Sequence, residues 1–159
     1  MSAPISVASS SAVDPPRSGS GARKTAPGPA SSLFGGPIPV SVVTWWKQHP
    51  NVAPADLAKH KLLLNQPGQG PQRFPGPDMR KYSRVLMVIT CPKKIEYLVR
   101  LQVLDGLSIA STEGPSCGGP NVNIYTSPVL HVTDKQTEVE VQVAEGEKYF
   151  VTLYGTPIA

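Results

Sequence analysis

Long apolar runs are missing from this chain of 159 residues. None reaches the roughly 18 residues that a membrane-spanning helix needs, and the N-terminus has no apolar stretch of the signal-peptide kind. The chain is therefore expected to be soluble, to have no membrane partner and not to follow the classical secretory route. Cysteine is almost absent: Cys91 and Cys117 are the two in the sequence. Their spacing is that of no metal site and nothing else in the sequence points to an oxidising compartment, so both are read as free thiols. The histidines His49, His60 and His131 stand apart from one another and from cysteine, which leaves no metal-ligand pair. Nucleophile-elbow, phosphate-loop and dinucleotide-binding glycine patterns are all lacking. Ser127, His131 and Asp134 could assemble a triad, but short polar residues near a strand end more commonly serve turns. Asp105 and Asp134 could ligate an ion and fit turns equally well. No enzymatic activity, no cofactor and no metal are expected.

Proline and glycine, by contrast, are abundant, at 18 and 14 residues. Helices should be scarce. Residues 1–32 are mostly Ser, Ala, Pro and Gly, and Ile5, Val7 and Val13 follow no period. Such a segment cannot bury enough surface to offset its ordering entropy, so a disordered arm is expected, followed by one folded domain over 33–159. The arm carries Arg17, Arg23 and Lys24 against Asp14. A solubilising tail explains that composition as readily as a nucleic-acid-binding arm, which usually has a denser basic run.

The strongest pattern lies near the C-terminus. Val139, Val141 and Val143 alternate with Glu138, Glu140 and Gln142, and Tyr149 to Tyr154 is rich in aromatic and β-branched residues. That is the period of strands, and the short Gly146-containing connection predicts a β-hairpin over 136–154. Its second strand has few polar positions and should be buried on both faces. Upstream, Val40 to Trp46 is β-branched and aromatic enough for a strand, with Trp45 and Trp46 on opposite faces. The segment after Asn51 opens a short helix, 59–64 finishes it or forms a strand, and 66–77 is a loop by composition. Strands are expected at 85–90, 95–104, 107–110, 122–125 and 128–133, with turns at Pro92 to Lys94 and at Asp105-Gly106. Eight or nine short strands between turn clusters argue for an all-β fold, an antiparallel sandwich or barrel.

Charge is unevenly placed. Residues 33–100 hold ten Lys or Arg against three acids, and residues 101–159 hold two against seven. If these halves occupy different faces, one would attract polyanions. The candidate basic residues are Arg73, Arg80, Lys81, Arg84, Lys93 and Lys94, besides those of the arm.

A Ser/Pro/Ala-rich arm bearing Arg17, Arg23 and Lys24, then about eight short strands with Pro/Gly loops and a chain that ends on a strand, resembles the coat protein of a small icosahedral positive-strand RNA virus. The resemblance is architectural. It implies a jelly-roll sandwich whose copies form a closed shell, with itself and single-stranded RNA as partners, in the virion and in host cytoplasm before assembly. The weakly basic arm shifts the implied RNA contacts toward the body residues. Two other readings are a viral accessory or movement-type nucleic-acid binder and a cellular β-sandwich interaction module.

Overall fold

The computed structural model describes residues 33–36, 38–104, 106–131 and 134–158. The expected arm, with Arg17, Arg23 and Lys24, lies outside the described residues. Eight strands follow one helix: α1 (Val42–Gln48), β1 (Lys61–Gln69), β2 (Gln72–Pro75), β3 (Tyr82–Thr90), β4 (Tyr97–Val103), β5 (Ser108–Gly114), β6 (Ile124–Thr126), β7 (Thr137–Gln142) and β8 (Lys148–Pro157). They form two antiparallel four-stranded sheets, ordered β1-β8-β3-β6 and β2-β7-β4-β5. The all-β sandwich expected from the strand signals is the fold. No helix among the described residues is long and apolar enough to cross a membrane.

The pairing has a simple logic. β1 pairs with β8, β2 with β7, β3 with β6 and β4 with β5, as in one long two-stranded ribbon. Rolling that ribbon brings β3 against β8 and β4 against β7, which completes the sheets. This is the connectivity of a jelly roll.

The final pair of strands departs from expectation. β7 and β8 form no hairpin, because each lies in a different sheet. Val139, Val141 and Val143 on one wall and Tyr149, Val151 and Leu153 on the other are buried in a shared core. Placed side by side, the two strands would leave a common apolar face uncovered, whereas in opposite sheets they cover each other. The connection at Ala144 to Glu147 crosses between the sheets, with Gly146 at φ 81°. A second crossing at Gly70, φ 67°, lies beside it and donates its N–H to Glu147 O at 2.8 Å.

That second crossing also corrects the loop expected over 66–77. Its Gly/Pro composition conceals β1 and β2. Pro67 is tolerated because β1 is an edge strand, and Gly68 leaves the room that the Tyr149 phenol fills. Within 59–64, Lys59 closes the second of two short 3-10 turns, at Pro50–Val52 and Leu57–Lys59, and β1 begins at Lys61. The strand expected over 128–133 is not formed at 128–131, the part that is described. Pro128 cannot donate to a ladder, and the segment follows β3 through isolated bonds from Ser127 N to Val85 O and from Leu130 N to Ser83 O.

Val40 to Trp46 is helical from Val42 rather than extended. Val42, Val43, Trp45 and Trp46 are all buried, at spacings that share one helical face, while Thr44 and Lys47 point outward. Burial of four such side chains is worth roughly 1.5–3 kcal/mol apiece. A strand would have left two of them in water, and β propensity, spanning about 1 kcal/mol, does not compensate. Ser41 caps the helix by accepting from Val43 N at 3.1 Å. With Leu33 and Phe34, the helix covers Leu86, Val88 and Tyr154 on the outer face of β1-β8-β3-β6. β8 is consequently buried on both faces, as its sequence predicts.

Cys91 and Cys117 are not free thiols but form a disulfide, with Cα atoms 5.2 Å apart. Cys91 directly follows β3, and its N–H donates to Cys117 O at 3.0 Å, so the loop after β5 is held against the loop after β3. A separation of 26 residues gave no hint of that proximity.

Candidate nucleic-acid interface

The basic residues singled out in the sequence do not form one surface. Arg73 lies on the outer face of β2-β7-β4-β5, where its guanidinium meets Glu138 at 3.2 Å and Glu140 at 3.6 Å. Arg100 reaches Glu140 at 3.0 Å from the neighbouring strand, and Gln102 Nε2 donates to Glu138 Oε2 at 2.7 Å. Within this cluster two arginines balance two glutamates, which leaves no excess positive charge on the face. The alternation of Glu138 and Glu140 with buried valines put the acids here, and the β2 and β4 registers put the arginines opposite them.

Arg80 is also spoken for. Its guanidinium forks onto Asp78, with Nη2 2.7 Å from Oδ2 and Nε 3.0 Å from Oδ1. These hydrogen bonds from Arg80 hold the Asp78 carboxyl down at about 2, below the ordinary carboxylate range. Lys93 approaches Glu147 at 3.5 Å. Lys94 is exposed beside it. The Lys93-Lys94 pair lies beyond the end of β3 and the Arg80-Lys81 pair before its start. Nine residues of strand separate them by about 27 Å.

Lys81 and Arg84 form no salt bridge among the described residues, although Lys81 helps to stabilise the Asp78 carboxylate, and the fold gives them company that sequence reasoning missed. Arg84 sits opposite Thr156 of β8, and Lys81 O accepts from Ile158 N at 2.9 Å. On the other side of β8, Lys61 sits opposite Gly155. His60 Nδ1 lies 3.0 Å from Thr156 Oγ1 while its Nε2 is 3.3 Å from Asp56 Oδ2. Lys59 precedes it. The last residues of β8 are thus flanked by Lys59 and Lys61 from β1 and its lead-in, and by Lys81 and Arg84 from β3 and its lead-in. All four are exposed. Two strand spacings of about 4.8 Å set Lys61 within roughly 10 Å of the Arg84 backbone. Because their β8 partners Gly155 and Thr156 are adjacent, however, the two side chains leave opposite faces of the sheet at its end. No local signal in the sequence identifies Lys59 and Lys61, because only the β1–β8 register brings them here.

Chemically, this rim offers exposed cationic side chains to phosphate groups. Ser127 Oγ, considered above for a triad, donates to Pro128 O and accepts from Val85 N, so its hydroxyl is committed to a turn. Among the described residues no three His, Cys, Asp or Glu side chains are grouped as a metal site. Asp105 lies outside the described residues, and Asp134 is exposed. Compared with known proteins, the chain matches no protein-family model and no curated protein.

Proposed function

We propose that this protein is a structural coat protein that self-assembles into a shell and encloses single-stranded RNA through basic residues of its body. The observation that carries the reading is the ribbon pairing of β1 with β8, β2 with β7, β3 with β6 and β4 with β5, the jelly-roll connectivity used by viral capsid domains among others. The basic residues around the end of β8 support the RNA part, since Lys59, Lys61, Lys81 and Arg84 are exposed and form no salt bridge among the described residues. The disulfide suits a virion, a setting in which such bonds persist. It equally favours a second reading, a non-enzymatic β-sandwich interaction module working in an oxidising compartment.

Filter binding of single-stranded RNA at several salt concentrations separates the two. Each lost phosphate contact lowers the salt slope of log K by roughly 0.7 for single strands. Replacing Lys59, Lys61, Lys81 and Arg84 by Gln is expected to reduce the slope by up to roughly four such steps, for all sequences alike. Replacing Arg73 and Arg80 should leave it nearly unchanged. An interaction module would show no RNA affinity to lose.

A further inference from the structure

The two sheets end on four edge strands, and three of these are guarded against pairing with another chain. β1 carries Pro67, which has no N–H to offer, and a register shift between Leu62 and Leu64. β6 has three residues. β2 has four, preceded by Pro71 and ending on Pro75. β5 differs from all of them: Ser108–Gly114 contains no proline, lysine or arginine, and Glu113 is its one charge. Its irregularity is confined to the start, opposite Leu101 and Gln102, so Ala110 to Gly114 run in continuous register with β4. Among the described residues nothing pairs with the other side of β5. A regular, nearly uncharged edge of this kind is a template for strand addition.

We propose that this edge pairs with the β5 edge of a second copy, antiparallel about a two-fold axis passing through Thr112. The segment reads Ala-Ser-Thr-Glu-Gly. Laid against itself, it sets Thr112 opposite Thr112, Ser111 opposite Glu113 and Ala110 opposite Gly114. Each Glu113 carboxylate then meets a Ser111 hydroxyl able to donate to it, and a Thr-Thr pair is a favourable cross-strand contact. Ser111 and Glu113 share the outer sheet face, because their β4 partners are Arg100 and Leu98. The neighbouring registers are worse. Centring on Glu113 sets the two carboxylates against each other, and centring on Ser111 runs Glu113 into the irregular stretch at Ile109. The pairing is isologous and joins two four-stranded sheets into one of eight. Five residues bury far less than the roughly 800 Å² per partner of a stable dimer, so the contact is weak alone and gains strength within a larger assembly. It needs no RNA, and its failure would leave the RNA-binding reading intact.

Cysteine trapping in the full chain tests it. Thr112→Cys brings two equivalent residues directly opposite, at a Cα separation of about 5 Å that a disulfide accepts. Ser111→Cys leaves its equivalents about 8 Å apart, beyond bridging range. Cys91 and Cys117 are already paired and do not compete. Under mild oxidation a linked dimer is expected from Thr112→Cys and not from Ser111→Cys. A second variant at an exposed position, Ser111→Lys, sets an ammonium opposite each Glu113 and should raise the dimer fraction in sedimentation equilibrium. Absence of a linked dimer from Thr112→Cys, equal linkage from both cysteine variants, or no gain from Ser111→Lys would overturn the pairing.

Discussion

Asn65 Oδ1 accepts a hydrogen bond from Ser41 Oγ at 2.7 Å and a second from Thr152 Oγ1 at 3.0 Å. One amide oxygen therefore joins the cap of α1 to the first and last strands of the sheet it covers. Ser41 and Thr152 are both buried, so neither hydroxyl has water as a substitute. Ser41→Ala removes the cap and one of these bonds, and is expected to cost about 1–2 kcal/mol in urea unfolding. Asn65→Ala leaves two buried hydroxyls without their acceptor and should cost more, about 2–4 kcal/mol. A smaller effect for Asn65→Ala than for Ser41→Ala would contradict this linkage.

Val141 and Val151 are fully buried on opposing sheets. Changing Val141 to Asp places a carboxylate in the shared core with no cation to meet it. The expected loss is several kcal/mol, comparable with the roughly 5–15 kcal/mol stability of a whole domain. Circular dichroism and gel filtration should show an unfolded or aggregated chain. A soluble, cooperatively folding Val141→Asp protein would contradict the inward placement of β7.

The alternation in β7 made its inward face legible from the sequence, and the near-continuous apolar run in β8 made its double burial legible. Their partners were not legible, because period two fixes which face of a strand is apolar and says nothing about which sheet the strand joins. The α1 segment was open to a better reading: Ser41 followed by apolar residues at 42, 43, 45 and 46 has the spacing of a capped helix face, although its valines and tryptophans favour strands one by one. The site was least legible of all. Lys59 and Lys61 come to the same end of the sheet as Lys81 and Arg84 only through the register on β8, whereas Arg73 and Arg80 looked available until Glu138 and Glu140 of the neighbouring strand and the nearby Asp78 engaged them.

Reduction of the Cys91–Cys117 bridge frees a loop of 26 residues in the unfolded chain. The chain-entropy relation gives about 3.5 kcal/mol for a loop of this size. The double replacement Cys91→Ala with Cys117→Ala should lower stability by about that amount in urea, and added reductant should do the same to the wild type alone. Equal stability of both proteins under oxidising conditions would show that the bridge is not formed in solution.

Tyr149 is buried, and burial pushes its phenol up to about 12. An exposed tyrosine in the unfolded chain ionises near 10. Below pH 10 the phenol is neutral in both states and costs nothing; as pH rises from 10 toward 12 the unfolded chain loses its proton first, so stability falls across that window. Tyr149→Phe removes this proton linkage and should make the alkaline unfolding curve shallower between pH 10 and 12. Absorbance at 295 nm should show Tyr149 ionising together with unfolding. Its titration near pH 10 in the folded protein would contradict its burial against Gly68.

Assembly tests the central claim most directly. Purified full-length protein, with and without single-stranded RNA at low salt, is examined by light scattering and negative-stain imaging. The account predicts closed particles of uniform size in the presence of RNA, dispersing as salt rises. A chain that stays monomeric at every concentration and salt, with RNA and without it, would contradict the account.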